Sequence, residues 1–368
     1  MSDYDEVEEE LSLENEGGEE LYEHHKVIVD SGQKTIRIDV FLQSKLTQVS
    51  RSKIQNAAKA GSIIVNGQPV KSNYKIRPDD VIQVMLHHAP QIHTVIAEDL
   101  NLDVVYDDDQ VLLINKPAGM VVHPGHGNYT GTLVNGLMFL KSNWPQINGE
   151  SRPGIVHRLD KNTSGILVAG KTEFALQHLA KQFFDRTTDR NYIALVWGDM
   201  EQDKGRIEGN IARHPTDRLK FHVDEDELTG KFAATTYEVI RRFGYVTLIK
   251  CKLETGRTHQ IRVHMKHIGH PLFNDFTYGG DKVVFGTVFT KYKQFVENCF
   301  KLIPAQALHA ASLGFKHPTT GKEMKFEVPL PEGFQQILDK WETYTNALQV
   351  GEIANDWDNE EEEQQEEK

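Results

Sequence analysis

The residues best placed to do chemistry lie between positions 151 and 171, in the stretch SRPGIVHRLDKNTSGILVAGK. It carries Asp160 two positions after Arg158, and it leads into the apolar run 166–169, which the β-branched composition predicts to be a buried strand. A carboxylate on irregular backbone beside a rigid strand is a common arrangement for a catalytic side chain. The same letters also suit an Asx-turn, in which Asp160 only satisfies its own backbone. The rest of the chain has to decide between these interpretations.

The elements that must position Asp160 are predicted to begin near Leu102. Apolar alternation predicts strands at 111–115, 190–198, 205–211, 232–242, 245–253, 308–315 and 325–330. Helical spacing predicts helices at 132–140, 173–184, within the stretch TGRTHQIRVHMKHIGHP, and at 333–348. The strands follow one another in hairpins with helices at irregular intervals, which favours an α+β fold with a mixed, mostly antiparallel sheet. The charged segment 213–230 is too polar for a core and is expected to be exposed.

A smaller basic unit precedes this region, at 34–88. Helical spacing of Ile38, Phe41, Leu42 and Leu46 predicts one helix, and a second begins at Ser50 or Ser52. The sequence SIIVNGQPV, with Asn-Gly between apolar residues, is typical of a hairpin. Basic side chains outnumber acidic ones here, which favours contact with phosphate groups. Arg51, Lys53 and Lys59, all on the second helix, are the first candidates for that contact.

The net charge of −13 over 368 residues hides an uneven distribution. Most of the excess acid lies in 1–23 and 351–368, and without these ends the chain is net basic, which suits a polyanionic partner. We therefore predict an acidic disordered leader at 1–33, a basic domain and linker at 34–97, a catalytic domain at 98–349 and an acidic disordered tail at 350–368.

The composition of the chain indicates its cellular compartment and the broad class of protein to which it belongs. Hydrophobic residues make up 39% of the chain, and no apolar run is long enough to predict a membrane-spanning helix. The acidic N-terminus is not typical of a secretory signal. The 2 cysteines lack CxxC spacing, which favours a reducing compartment, and we expect a cytoplasmic protein that acts as a monomer.

Two parts of the chain carry motifs that are similar to those of known protein families. The unit at 34–88 resembles the S4 RNA-binding module through RIDVFL, SRSKIQNAAKAG and IIVNG. Residues 102–345 resemble the RluA-type pseudouridine synthases, in the branch that acts on large-subunit ribosomal RNA. The matching motifs, in the family's order, are NKPAGMVVHPG, HRLDKNTSGILVAGKT, NYIALVWG, LETGRTHQIRVHMKHIGHPLFND and LHAASLGFKHPTTGKEMKFEVPLP. The resemblance implies the pseudouridine synthase fold and the isomerisation of uridine to pseudouridine within RNA.

The resemblance also implies roles for particular residues. Asp160 is expected to be the catalytic nucleophile or base, and Arg262 to pair with it and hold it ionised. Tyr192 is expected to stack on the flipped uracil and to relay a proton through its hydroxyl. Arg158 is expected to fill the space that the uridine vacates, since its planar guanidinium can replace a base in a stack. Whether Asp160 bonds to the sugar or removes a proton from it stays open.

No cofactor and no metal is expected. The isomerisation needs no redox partner or phosphate donor, and the sequence has no P-loop and no GxGxxG fingerprint after a strand. The histidines do not have metal-ligand spacing: His259, His264 and His267 do not share one helix face, and no Cys or Glu completes a set. The alternatives left open are a transfer RNA substrate, a non-catalytic RNA-binding factor of ribosome assembly, and a glycosylase that releases uracil.

Overall fold

The computed structural model describes residues 22–30, 33, 35–46, 51–86, 95–125, 127–141, 143–145, 153–217, 219–224 and 229–350. Residues 1–21 of the predicted acidic leader and 351–368 of the predicted acidic tail lie outside the described residues. The chain divides into two compact units, one of residues 1–95 with 125–129 and one of residues 96–124 with 130–368.

The described residues of the first unit form one antiparallel sheet and two helices. Its strands are β1 (Tyr22–Ile28), β2 (Ile63–Val65), β3 (Gln68–Pro69) and β4 (Val81–Leu86), and its helices are α1 (Ile38–Lys45) and α2 (Arg51–Lys59). The sheet order is β1-β4-β2-β3. At the hairpin between β2 and β3, Asn66 and Gly67 have φ of 49° and 80°, the positive values that an Asn-Gly turn supplies at low cost.

The predicted boundary of the acidic leader at residue 33 is wrong. Strand β1 pairs antiparallel with β4, with Tyr22 opposite Leu86 and Ile28 opposite Val81, so the ordered part of the first unit includes residues twelve positions before the predicted start at residue 34. The segment YEHHKVI is polar enough to resemble a connection, and its strand forms because β4 offers an edge to pair with. Its long-range partner, about sixty residues away in sequence, gives no local signal.

The second unit is built on a 10-stranded sheet of order β10-β9-β11-β12-β8-β13-β7-β6-β5, with β14 on β13. The strands are β5 (Val104–Asp107), β6 (Val111–Lys116), β7 (Ser164–Gly170), β8 (Asp189–Trp197), β9 (Lys204–Arg213), β10 (Phe221–Asp224), β11 (Lys231–Arg242), β12 (Val246–Leu253), β13 (Leu308–Lys316) and β14 (Glu323–Glu327). Strands β7 and β13 run parallel, and the other described neighbours run antiparallel. The predicted α+β class with a mixed, mostly antiparallel sheet is confirmed.

Within the described part of this unit, five helices accompany the sheet: α3 (Leu133–Leu140), α4 (Glu173–Phe184), α5 (Gln260–His267), α6 (Thr290–Phe300) and α7 (Glu332–Val350). Helices α3 and α4 start where their N-caps predict, since the Thr132 and Thr172 hydroxyls accept backbone N–H bonds from the third helical residue. Helix α4 buries Leu176 and Leu179, whereas Phe174 is 57% exposed. The sequence analysis also missed α6.

Two further predictions in this unit are wrong. The segment 213–230 is not simply an exposed excursion, because it contains β10, which extends the sheet beyond β9. Phe221 and Val223 pack against the buried Ile211 and Val263, and this apolar contact is what draws a charged segment onto the body. The final strand lies at Glu323–Glu327 rather than at 325–330, since it is set by pairing with β13.

The core of the second unit is aromatic. Trp197 and Phe273 pack with Tyr292 and Trp341, which α6 and α7 contribute, and all four side chains are fully shielded from solvent. Their rings meet edge-on or tilted, the arrangements that aromatic pairs prefer. This cluster packs α6 and α7 against β8 and β12 of the sheet. None of the described helices is long and apolar enough to span a membrane.

Candidate active site

Asp160 sits on the loop that enters β7, and close backbone contacts hold that loop. Thr163 donates its N–H to the Asp160 carbonyl at 3.0 Å, and the Lys161 carbonyl accepts from the Gly119 N–H at 2.9 Å. Gly165 has φ of 116°, and a Cβ there would lie 2.2 Å from the carbonyl oxygen of Ala310 on β13. Only glycine permits this approach of β7 to β13. The loop geometry therefore depends on the sheet beneath it.

Arg262 on α5 contacts the Asp160 carboxylate, with its Nη1 3.2 Å from Oδ2. Its other nitrogens form a fork with Asp275, Nε to Oδ2 at 2.7 Å and Nη2 to Oδ1 at 2.9 Å. Asp275 is fully buried and also accepts the backbone N–H groups of Thr277 and Tyr278. A bidentate pair fixes the plane of a guanidinium. Asp275 therefore aims Arg262 at Asp160.

A second contact to Asp160 comes from His259, whose Nε2 lies 3.9 Å from Oδ2. His259 precedes α5 in the left-handed region, with φ of 55°. Its Nδ1 is 2.9 Å from the Tyr278 hydroxyl, and that hydroxyl accepts the Phe221 N–H at 3.1 Å. The hydroxyl proton is thus free to go to Nδ1, which places the proton of a neutral His259 on Nε2, facing Asp160. The backbone N–H of Phe221, on β10, therefore begins the series of hydrogen bonds that orients His259.

Tyr192 lies in the middle of β8, opposite Cys251 of β12 and Ala310 of β13. Its side chain is 8% exposed and lines the same cavity as Asp160. Burial, with a contribution from the Asp160 charge, raises the pKa of Tyr192 to about 12. The phenol is therefore protonated at neutral pH, able to stack and to donate a hydrogen bond.

The carboxyl of Asp160 is held in its charged form. Burial works in the opposite direction, but the neighbouring His259, Arg262 and Arg158 together lower the pKa of Asp160 below its usual value. Burial is the main cause that lowers the pKa of His259, so this imidazole is neutral near pH 7. A depressed carboxyl pKa stabilises the fold above the unfolded value of about 4, and this contribution is lost as the pH falls through the folded value.

We expect the pH profile of kcat/KM to show no acidic limb from Asp160 between about pH 5 and pH 7, since its carboxylate is already ionised there. The profile is measured from single-turnover rates on one RNA across this pH interval, at subsaturating enzyme concentrations. A limb centred at about pH 6, with RNA affinity constant over the same interval, would mean that the carboxyl titrates above its unperturbed range. That result would contradict the electrostatics of the site.

The cavity that holds these groups has a volume of about 920 Å³. The predicted residues Arg158, Asp160, Tyr192 and Arg262 all line it. Arg158 is exposed at this lining, two positions from Asp160. The volume is in the range of cavities that enclose a small ligand, and it is large enough for one nucleotide.

Other polar side chains close to Asp160 in the sequence have partners in the fold. The Ser164 hydroxyl is 2.9 Å from His309 Nδ1 in the core, and the buried Thr163 hydroxyl accepts from Gln306. His157 accepts the Val168 N–H and stacks on a phenylalanine, so its ring nitrogen serves the fold. Among the described residues no group of three or more His, Cys, Asp or Glu side chains is placed to hold a metal ion.

The sequence analysis missed several residues of the site. Asp275, His259 and Tyr278 act on Asp160 or Arg262 through the contacts above, and Asp275 lies in the quoted motif LETGRTHQIRVHMKHIGHPLFND. Lys116 was missed as well. Its buried ammonium donates to the carbonyls of Pro117, Met120 and Lys161 at 2.9, 2.8 and 3.1 Å, tying the NKPAG loop to the Asp160 loop. For Asp275, the only signal in the sequence was an acidic residue within a motif of mixed polarity.

The predicted RNA-contacting residues belong to the first unit. Arg51 is half-exposed, and its Nε donates to Asp39 Oδ2 at 3.0 Å. Asp39 is fully buried and also accepts from Arg37 and Gln55, which together lower its pKa despite burial. Arg51 thus helps to satisfy a buried carboxylate. Lys59 is exposed and Lys53 partly exposed on the same helix.

Comparisons with known proteins follow the two-unit organisation. The family model described as RNA pseudouridylate synthase matches residues 110–267, and the S4 domain model matches residues 36–82. An uncharacterised RNA pseudouridine synthase of Bacillus subtilis is 45% identical over 307 residues, which are 83% of this chain and 94% of the relative. The ribosomal large subunit pseudouridine synthase D of Neisseria meningitidis serogroup B is 41% identical over 303 residues, 82% of this chain and 78% of the relative.

A solved structure shares the fold. Human RNA pseudouridylate synthase domain containing 4 superposes with a TM-score of 0.51 at 22% identity, covering 65% of this chain and 93% of that one. At this identity the likeness concerns the fold. Together the comparisons confirm both resemblances that the sequence motifs indicated.

Proposed function

The chain belongs to the RNA pseudouridine synthase family, with an S4 domain before its catalytic region, and we propose that it isomerises specific uridines of large-subunit ribosomal RNA. The enzyme is an isomerase that acts on RNA. The ribosomal substrate is the finer step, and it rests on the 41% identity to a relative whose name states that activity. We also propose that it acts in the cytoplasm, where its 2 buried free cysteines stay reduced.

The observation that carries the proposal is the pairing of Asp160 with Arg262 at 3.2 Å inside a cavity that Tyr192 also lines. A target base inside an RNA stack cannot reach such a site, so the uridine must rotate outward at a cost of a few kcal/mol. Arg158 is positioned at the exposed side of the lining, where its guanidinium can occupy the vacated position in the stack.

The chemistry balances without another reactant. The bond from the sugar C1′ to the uracil N1 breaks, the uracil turns, and C5 forms the new bond to C1′. The proton that C5 loses is matched by the proton that N1 gains. The Asp160 carboxylate acts on the electron-poor sugar, either by bonding to C1′ or by removing a proton beside it. Arg262 keeps its own proton and stabilises the negative charge of Asp160.

Tyr192 is assigned to the uracil rather than to the sugar. Its ring offers a stacking surface, which is worth about 1–3 kcal/mol for a base on an aromatic side chain. Because its pKa is raised to about 12, it starts the reaction as a phenol and can pass a proton only by donating and regaining it. It therefore suits transfer between C5 and N1 during the turn.

The experiment that tests the function is a map of pseudouridines across total RNA from cells with and without this chain. Pseudouridines that vanish from large-subunit ribosomal RNA, and return with the intact gene, support the proposal. Loss confined to transfer RNA would assign the alternative substrate. Purified enzyme that releases free uracil would indicate a glycosylase, and unchanged maps with impaired ribosome assembly would indicate a binding factor.

The S4 unit yields a separate prediction. We expect Lys53→Gln with Lys59→Gln to weaken binding to the RNA substrate and to reduce the salt slope of log K by about 0.7 for each phosphate that a lysine no longer neutralises. Filter binding across potassium chloride concentrations measures this. Arg51→Gln serves as the contrast, since it should also lower the stability of the first unit by removing a partner of buried Asp39. An unchanged slope in the lysine pair would remove α2 from the RNA interface.

A further inference from the structure

Arg190, on β8, is buried inside the active-site cavity, and none of the residues that the structure describes forms a salt bridge with it. Its side chain is 9% exposed, and its Nε has no hydrogen-bond partner among the described residues. The guanidinium lies 5.7 Å from the centre of the Phe183 ring. Gly256 makes room for it, since a Cβ there would come within 2.9 Å of Nη1. A buried charge that no described carboxylate neutralises costs stability, so its presence calls for a partner from outside the chain.

Two more arginines share this wall of the cavity. Arg186 is exposed at the end of α4, where its φ of 60° places it in the left-handed region. Arg257 is partly buried, and its Nε donates to the Phe232 carbonyl at 3.0 Å, which fixes the plane of its guanidinium. Burial is the main cause that lowers the pKa of Arg190 and Arg257, and the like charge of Arg186 adds to it in both. Arg186 therefore lies close enough to repel the guanidinium groups of both Arg190 and Arg257.

The negative groups of the cavity lining are already paired. Asp160 contacts Arg262, and Asp185 accepts from Lys181 at 2.7 Å. His157 does not alter the balance, because burial lowers its pKa to about 3 and the ring is neutral. Among the described residues that line the cavity, the wall of Arg186, Arg190 and Arg257 thus carries positive charge that no carboxylate compensates.

A phosphate group fits this wall better than a carboxylate or a neutral group. Guanidinium forks bind phosphate oxygens through paired N–H donors, and several forks together neutralise a diester charge. Phe184, which is 86% exposed, lines the same cavity near Arg186 and offers a surface on which a neighbouring base can stack. Arginines interleaved with an exposed aromatic ring are typical of contact with single-stranded RNA.

We propose that Arg186, Arg190 and Arg257 form a subsite for one backbone phosphate of the RNA, next to the uridine that enters the Asp160 site. This inference rests on the proposed function for the identity of its ligand. The subsite would hold the sugar against Asp160 by gripping the chain on one side of the flipped nucleotide, and Arg190 is a positioning residue in it. The subsite is distinct from the basic helix of the first unit.

Stability gives a readout that a purely structural arginine would not give. Arg190→Met removes the unpaired charge that lies over the Phe183 ring and leaves an apolar side chain of similar length, so its melting temperature is expected to rise by roughly a few degrees. An arginine kept for the fold alone would lower the melting temperature when replaced. A fall therefore overturns the proposal.

Binding provides the direct test, with the full chain and a short RNA that spans a mapped uridine. Arg190→Met and the exposed Arg186→Gln are each expected to weaken binding about tenfold and to reduce the salt slope by about 0.7. The matched control is Arg241→Gln, whose guanidinium pairs with Glu342 on another part of the surface. It should leave both quantities unchanged.

Methylphosphonate substitution then locates the phosphate. Neutralising one backbone position at a time should reveal a single position at which the RNA loses affinity for the wild type and loses nothing further for Arg186→Gln. Additive losses at every position overturn the subsite. If the wild type binds and discriminates in this way but converts no uridine, the proposed function fails while the phosphate subsite stands.

Discussion

Replacing Asp160 by Asn is expected to abolish pseudouridine formation, with a loss of at least about 10³-fold in single-turnover rate, while RNA affinity changes little. Asn is nearly isosteric, so the variant removes the negative charge and leaves the shape. Without that charge the sugar has no group to attack it or to take its proton. The fold should persist, because Arg262 keeps both of its bonds to Asp275.

The matched control for this variant is Asp185→Asn. Asp185 lines the same cavity, but its carboxylate is paired with Lys181 at the surface. We expect it to retain activity within a few fold. If Asp160→Asn still forms pseudouridine at the rate of the wild type, Asp160 has no part in the reaction, whatever its geometry. If both variants lose activity alike, the effect is on the field of the cavity and not on one nucleophile.

Local sequence patterns predicted those parts of the structure that local physics determines. Helix α4 begins after the Thr172 N-cap and buries Leu176 and Leu179 at helical spacing, so its bounds match the prediction at 173–184. The Asn66-Gly67 hairpin and the buried strand β7 are of the same kind. Each depends on residues within about ten positions of one another.

The wrong predictions concern segments whose structure is determined by a partner that is distant in the sequence. Strand β1 forms because β4 pairs with it, and β10 forms because Phe221 finds an apolar contact and a hydrogen-bond acceptor in Tyr278. Neither partner is visible from the segment itself. Helix α6 is different, because Tyr292, Val296 and Cys299 show the spacing of a buried helix face and the pattern was overlooked.

The same distinction between local and distant determinants applies to the residues of the active site. Motif resemblance predicted Asp160 and Arg262, yet it gave no reason for the direction in which the arginine points. That direction is set by Asp275, thirteen positions further on, and the sequence analysis did not single it out. His259 was considered only as a metal ligand, whereas its place beside Asp160 follows from its left-handed backbone and its bond to Tyr278. Side chains that act through another residue leave no signature of their own.

Asp275→Asn is accordingly expected to be the most destabilising single change near the site, by about 3–5 kcal/mol. Both members of the pair are shielded from solvent, with side-chain exposures of 5% for Arg262 and 0% for Asp275. The asparagine would leave the buried guanidinium with the more distant Asp160 as its remaining anion. The asparagine NH₂ group would either face another hydrogen-bond donor or take the place of the oxygen that accepts the backbone N–H of Tyr278, which would leave that N–H without an acceptor.

Urea unfolding followed by tryptophan fluorescence measures this in the full chain, because none of the 4 tryptophans lies within residues 1–95. The signal therefore reports the second unit without the first, whose separate transition would otherwise blur a two-state fit. Glu342→Gln is the control. It breaks the exposed pair with Arg241 and should cost about 0–1 kcal/mol.

Activity separates the two roles of Asp275. Well below the unfolding midpoint, Asp275→Asn should still lower kcat more than it raises KM, because a misdirected Arg262 no longer stabilises the Asp160 carboxylate. Under the same conditions Asp160 should gain an acidic limb in its pH profile, since a guanidinium that points away from it no longer lowers its pKa and burial raises that pKa. A variant as stable and as active as the wild type would show that the fork to Asp275 orients nothing, and the alignment of Arg262 would then have to come from α5 alone.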